Sequence, residues 1–315
     1  MDLLDRFRGC LLGLAAGDAV GTAVEFEQRG EFDPLTDMVG GGPFGLLPGQ
    51  WTDDTSMALC LATSLVERSG FDARDQMERY CQWWNQGYLS SNGTCFDIGL
   101  TVKRSLKSFQ QNGEPYAGST DPQSAGNGAI MRLAPIPMFF FSDPESAVRY
   151  AVDSSRTTHG AAECLDACRL LARIVRRALQ GHGKDEIAFA DSSSFDGATP
   201  KIAAIARGDY RKKSDAAIRG SGYVVESLEA AMWCFARSDT FEEAILMAAN
   251  LGADADTTAA VCGQVAGAHH GASGIPAAWL ERLALRSEIT QLADRLYDRQ
   301  ENDGRTTEQN SDVGS

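Results

Sequence analysis

The first twenty residues, MDLLDRFRGCLLGLAAGDAV (1–20), decide what kind of chain this is. They imitate a secretory leader in placing an apolar run near the N-terminus, but the run is short and acidic residues stand on both sides of it. Over residues 3–17 the apolar positions recur at three- and four-residue spacing, the period of a helix with a buried face. The stretch is therefore read as a core helix. No later stretch is apolar for long enough to cross a bilayer, so no membrane association is expected.

The same period returns at 54–68, 73–86, 96–111, 143–152, 161–180, 223–237, 240–250 and 256–270. Sustained apolar–polar alternation, which would mark half-buried strands, is hard to find. The fold class is accordingly all-α: a compact, globular, multi-helix fold of ten or more helices, expected as one domain over residues 1–300. Gly/Pro-rich connections stand at 40–50 (GGGPFGLLPGQ), 112–128 (NGEPYAGSTDPQSAGNG) and 191–200 (DSSSFDGATP). Residues 301–315 are polar and lack a helical face, so a disordered tail is expected there.

At 315 residues the chain can bury a sizeable core. Its 43% hydrophobic and 23% charged residues are ordinary globular usage and exclude a rod or a disordered chain. The net charge of −14 opposes phosphate backbones and anionic membranes, so generic nucleic-acid binding is not expected. An anionic substrate would need a local cationic device, and a metal ion is the obvious one. The eight cysteines form no CxxC pair and most lie inside apolar helical stretches. They read as reduced, buried thiols of a cytoplasmic protein, Cys164 and Cys168 included.

Three motifs rise above this background. Thr52-Asp53-Asp54-Thr55 opens the apolar helix that begins MALCLATSLV, and Asp254-Ala255-Asp256-Thr257-Thr258 opens AAVCGQVAGAHHG. Capping is the plain explanation of either, since Asp and Thr suit an N-cap and a first turn. A cap needs one carboxylate or hydroxyl, however, and each cluster supplies two carboxylates and a threonine at what looks like a buried helix start. Buried carboxylates must be neutralised. If the four Asp converge, about two divalent cations are needed, and oxygen-only ligands select Mg²⁺ or Mn²⁺ over Zn²⁺. Neither cluster has the loop of an EF-hand. The third motif, Gly126-Asn127-Gly128, reads as a helix entry at which backbone N–H groups approach an anion, although Gly-Asn-Gly is first of all a turn. It is neither a Rossmann fingerprint nor a P-loop.

Taken together, GDAVGTAVEF (17–26), GQWTDDTSM (49–57), GNGAIMR (126–132), THG (158–160) and LGADADTTAAVCGQVAGAHHG (251–271) resemble the ADP-ribosylglycohydrolases in order and spacing. The bacterial type that removes ADP-ribose from arginine of dinitrogenase reductase is the nearest likeness, over about residues 3–280. The resemblance implies an all-α fold with a binuclear Mg²⁺ or Mn²⁺ centre. It implies Thr52, Asp53, Asp54, Asp254, Asp256 and Thr257 as metal ligands, and Asp97 as the residue that holds or deprotonates a water there. It implies a catalytic role for Glu25, places Gly126, Asn127 and Gly128 around the diphosphate and distal ribose, and puts His159 in the same pocket. Phe26 would stack on adenine. Ala253 departs from the family pattern, standing where many members have a second glycine.

The implied reaction is metal-dependent hydrolysis at C1″ of an ADP-ribosyl group on protein, with the N-glycosidic bond to arginine first among linkages and ADP-ribose as product. The protein is expected to act as a cytoplasmic monomer. Other readings stand beside this one: another linkage (serine, nucleobase or small molecule), a module that binds ADP-ribose without cleaving it, and a structural, crystallin-like relative. A terpene-synthase-like lyase is opposed by the missing third acid of DDxxD. Plain roles are expected elsewhere: Trp83, Trp84 and Tyr80 in the core, and His269 and His270 in a last helical turn favoured by the dipole.

Overall fold

Glycines at positions 9, 13, 17 and 21 leave one face of the first helix without side chains, and that face sets the centre of the fold. A Cβ on Gly9 would stand 2.3 Å from the Gly267 carbonyl oxygen, one on Gly13 2.5 Å from that of Gly263, and one on Gly17 2.2 Å from that of Ala259. The fourth, on Gly21, would stand 2.4 Å from the Ala255 oxygen. Two helices therefore lie backbone to backbone and antiparallel: α1 (Leu3–Gly21) and α12 (Ala255–His270). Both are buried along nearly their whole length, so α1 is a core helix as its periodicity predicts. The register matters for function. The last turn of α1 is brought to the first turn of α12.

In this computed structural model, backbone is described for residues 1–188 and 199–311, and side chains for 1–187 and 199–300. Of the polar tail expected to be disordered at 301–315, residues 301–311 continue α14 and 312–315 lie outside the described residues, as does most of the loop expected at 191–200. Between the central pair run α2 (Asp53–Arg68), α3 (Ala73–Gln86), α4 (Leu100–Asn112), α5 (Pro135–Phe139), α6 (Pro144–Arg156), α7 (Ala162–Leu179) and α8 (Lys184–Ala188). They are followed by α9 (Pro200–Ala206), α10 (Val224–Arg237) and α11 (Phe241–Ala249). After α12 come α13 (Ala277–Arg282) and α14 (Arg286–Ser311), the latter packed along α1 and α2. The described residues hold no strand, only isolated bridges such as Gly41–Leu46 and Gly126–Tyr223. The all-α expectation is met.

One large apolar core surrounds α1, α7, α10 and α12. A smaller cluster of Met57, Cys60, Met77, Tyr80, Trp83, Val102, Leu106, Phe109 and Met131 joins α2, α3 and α4. Tyr80 and Trp83 are core as expected, with Trp84 half-buried at its edge. All eight cysteines are free thiols, six of them buried.

Three local expectations need correction. The helix expected over 96–111 begins only at Leu100, and residues 95–99 lie in neither helix nor strand, which takes Asp97 out of any helix. No helix follows Gly126-Asn127-Gly128: residues 128–132 form turns, and the next helix starts at Pro135. His269 and His270 do close α12, but burial and the nearby Lys184 and Arg6 push both pKa values down, His270 to about 4. Desolvation there outweighs the helix dipole.

Candidate active site

The acidic helix starts do not cap their own helices. Thr52 and Asp254 stand at the N-cap positions of α2 and α12, and neither makes a side-chain capping bond. The start of α2 is capped from outside, by Asp18 in the last turn of α1. Its Oδ1 accepts from the N–H and the hydroxyl of Thr52, both at 2.9 Å. Its Oδ2 accepts from the N–H of Thr55 at 3.0 Å and the Thr55 hydroxyl at 2.6 Å. A fully buried carboxylate with four donors thus holds the first turn of α2 in place. That releases Asp53 and Asp54 for another use.

The two clusters meet. The Thr257 hydroxyl lies 3.2 Å from Asp54 Oδ2, and the Thr52 hydroxyl lies 3.4 Å from that oxygen and 3.3 Å from Asp256 Oδ2. Carboxylate oxygens of Glu25, Asp254 and Asp256 can all be taken within 4.8 Å of one another. Asp53 lies within hydrogen-bonding reach of Asp97, which comes from the non-helical 95–99 segment. Glu25 arrives because residues 25–27 are tied to the loop before α12: Phe26 N–H donates to Ala253 O and Ala253 N–H to Glu27 O, each at 2.7 Å. Ala253 holds φ +55°, a left-handed conformation in which glycine would be unstrained. The departure from the family pattern therefore costs local strain.

Six carboxyl groups in so small a space repel one another. Burial raises every one of them, ahead of any other cause. Asp53, Asp54 and Asp256 are pushed well above the carboxylate range, with further contributions from neighbouring carboxylates. Glu25 is pushed to about 10 by burial, then by Asp97 and Asp53, and Asp97 to about 6. Asp254 rises less, held down by donation from Asn127. Asp54 Oδ1, Asp256 Oδ1 and Glu25 Oε2 are buried with no hydrogen-bond partner. Orphaned buried acceptors in an all-oxygen shell fit a hard divalent cation, which would neutralise the charge and fill the missing contacts.

Asn127 joins this cluster to the glycine motif, its Nδ2 donating to Asp254 Oδ2 at 2.5 Å and to Ser227 Oγ at 3.3 Å. Two of the motif's three backbone donors are already engaged. The N–H of Gly126 is spent on Ser124 O at 2.8 Å and that of Asn127 on Gly222 O at 3.1 Å. The glycines make room for an imidazole instead: a Cβ on Gly128 would stand 2.7 Å from His159 Cε1, and one on Gly126 3.3 Å from Nε2.

The state of His159 follows from its partners. Buried Arg132 donates to the Thr158 hydroxyl at 2.7 Å, and that hydroxyl lies 2.9 Å from His159 Nδ1. A guanidinium only donates, so Thr158 accepts from it and has its own proton to give; given to Nδ1, it leaves the ring proton on Nε2, on the Gly126–Gly128 side. Burial, then Arg132, lowers the His159 pKa to about 3, so the ring is a neutral donor at physiological pH. Beside it lies a groove of about 890 Å³ lined by Gly126, Gly222, Tyr223 and Lys201.

The residues singled out in the sequence are thus drawn into two connected groups. Thr52, Asp53, Asp54, Asp254, Asp256, Thr257, Glu25 and Asp97 form the carboxylate pocket; Gly126, Asn127, Gly128 and His159 form the wall next to it. Phe26 belongs to neither wall: it is 65% exposed, its ring against Phe44. Sequence reasoning passed over Asp18, Arg132 and Thr158. Asp18 had a signal, being the one charged residue in the run from Gly9 to Val24.

Comparison with known proteins adds to this geometry. The family model described as ADP-ribosylglycohydrolase matches residues 1–306. The chain is 45% identical over 296 residues to an ADP-ribosylarginine hydrolase Tri1 of Pseudomonas putida, covering 94% of this chain and 79% of that one. It is 32% identical to the ADP-ribosyl-[dinitrogen reductase] glycohydrolase of Rhodospirillum rubrum, covering 93% and 95%. A solved structure titled ADP-ribosylglycohydrolase-related protein complex superposes with a TM-score of 0.84 at 42% identity, covering 94% of this chain and 98% of its own.

Proposed function

The chain belongs to the ADP-ribosylglycohydrolase family, and from that premise we propose that it cleaves the N-glycosidic bond between ADP-ribose and arginine in modified proteins. The observation that carries this is the meeting of Thr52, Asp54, Asp256 and Thr257 around buried carboxylate oxygens that have no partner. Thr52, Asp53, Asp54, Asp254, Asp256 and Thr257 would hold two Mg²⁺ or Mn²⁺ ions. Bound there, the ions supply positive charge that orients ribose hydroxyls and acidifies a water.

The protein's own groups divide the remaining work. Asp97 and Glu25, the two carboxyls outside the paired motifs, would take a proton from the attacking water and give one to the leaving guanidine. Asn127 orients Asp254, and Nε2–H of His159 is a fixed donor for an anionic group such as the diphosphate. The free thiols support a reducing, cytoplasmic setting, and the domain over 1–300 acts as a monomer.

The test compares release of free ADP-ribose from an arginine-linked and a serine-linked peptide in Mg²⁺ or Mn²⁺. Release from the arginine-linked peptide alone, or at least about a hundredfold faster, is the expected result. Preference for the serine-linked peptide would overturn the arginine assignment and leave the hydrolase in place.

A further inference from the structure

Three phenylalanines stand in a row beside the carboxylate pocket. The rings of Phe26 and Phe44 meet edge to face with centroids 6.4 Å apart, and those of Phe44 and Phe96 are 5.2 Å apart. Two of the three are chain neighbours of the carboxyls outside the paired motifs: Phe26 follows Glu25, and Phe96 precedes Asp97. Phe44 bridges them from the tip of a tight hairpin, in which Gly41 and Leu46 exchange N–H···O bonds of 2.7 and 2.9 Å. Gly42 presses that hairpin onto the turn leading to Glu25, since a Cβ there would stand 2.0 Å from the Thr22 carbonyl oxygen.

Phe26 has no packing reason to be where it is: it is 65% exposed and holds φ +67°, a conformation disfavoured for any residue with a Cβ. Phe44 and Phe96 are half-buried and pack on one another, which fixes the other end of the row. Strain and exposure together at one aromatic residue, next to a site, point to a ligand rather than to the core.

We propose that Phe26, Phe44 and Phe96 form the acceptor subsite, the surface that receives the arginine guanidinium of the substrate protein. The proposal rests on the arginine reading given above. A guanidinium is planar, delocalised and weakly hydrated, and it stacks on ring faces or sits over them as a cation. A serine oxygen has no such face to offer, so the row discriminates between the two linkages. Phe26 is thereby assigned to the leaving group and not to adenine: it follows Glu25 in the chain, its ring meets Phe44, and it does not line the groove of about 890 Å³ beside Gly126.

The experiment uses the full chain, an arginine-ADP-ribosylated peptide, and two competing probes. Agmatine carries a guanidinium and no ADP-ribose; ADP-ribose carries no guanidinium. Phe44→Ala is expected to raise KM and the agmatine inhibition constant about tenfold while leaving the ADP-ribose constant within twofold. Phe44→Leu, which keeps apolar bulk without a ring face, should behave like Phe44→Ala, and Phe44→Tyr should restore both values. Wild-type behaviour of Phe44→Leu, or equal shifts for agmatine and ADP-ribose, would overturn the subsite. Wild-type protein that is silent on the arginine-linked peptide yet active on a serine-linked one would instead overturn the arginine reading, and the subsite with it.

Discussion

The Thr257 hydroxyl lies 3.2 Å from Asp54 Oδ2 although the two residues are 203 positions apart. Each opens a helix, and the glycine-faced pairing of α1 with α12 is what lets the openings meet. Asp54 and Asp256 therefore share one job. Asp54→Asn and Asp256→Asn are each expected to lower metal-dependent turnover by at least a factor of about a hundred. Both should raise the melting temperature of EDTA-treated protein at neutral pH, because each removes a carboxyl that is ionised in the unfolded chain and that burial forces to stay protonated in the fold. Full turnover in either variant would remove that residue from the metal shell.

Metal removal should make stability depend on pH in a definite direction. Glu25 has a folded pKa of about 10 against an ordinary 4.5. A raised folded pKa gives stability that is complete below the unfolded value and is lost as pH rises. Between pH 7 and 9 Glu25 contributes a loss of about 3 kcal/mol, in the same direction as the buried thiols that burial pushes up. Thermal melts in EDTA should fall over that window, Glu25→Gln should flatten the fall, and Mn²⁺ should restore the melting temperature. Melts independent of pH in EDTA would contradict this.

Asp18 is the keystone of α2 and touches no expected ligand atom of the metals except through Thr52. Asp18→Asn turns a donor toward donors, leaving one buried threonine N–H or hydroxyl unpaired. It should cost about 3 kcal/mol of stability and weaken Mn²⁺ binding by about ten- to a hundredfold. Calorimetric melts and Mn²⁺ titration read the two effects separately. Unchanged Mn²⁺ affinity would mean that the start of α2 holds its place without Asp18.

The chain Arg132, Thr158, His159 predicts a tautomer. Nitrogen NMR should show His159 neutral with its proton on Nε2 from pH 5 to 8. Thr158→Val removes the hydroxyl that donates to Nδ1, so a mixture of tautomers should appear and KM for the substrate should rise about tenfold. A wild-type spectrum with the proton on Nδ1 would reverse the assigned direction of the chain.

The helices were legible because long segments repeat their apolar period several times. Residues 73–86 match α3 at both ends. The five-residue α5, seven-residue α9 and six-residue α13 complete too few turns to show a period. The motif residues were legible as chemistry, because two carboxylates and a threonine exceed what a cap requires. Their surroundings were not. Nothing local shows that Asp97 leaves the helix at Leu100 to reach Asp53, or that Gly126 and Gly128 are small because an imidazole 31 residues past Gly128 fills the space. Phe26 was read as an adenine platform; its contact with Phe44, a residue of the distant 41–46 hairpin, could not be read from the sequence. Asp18, Arg132 and Thr158 act through partners that only the folded chain brings to them.

The most direct single measurement is a titration of EDTA-treated protein with Mn²⁺, following bound metal and release of ADP-ribose from an arginine-ADP-ribosylated protein in the same samples. The account predicts no release without metal and full turnover once two equivalents are bound. Turnover that persists in EDTA, or full activity with no metal bound, would contradict it.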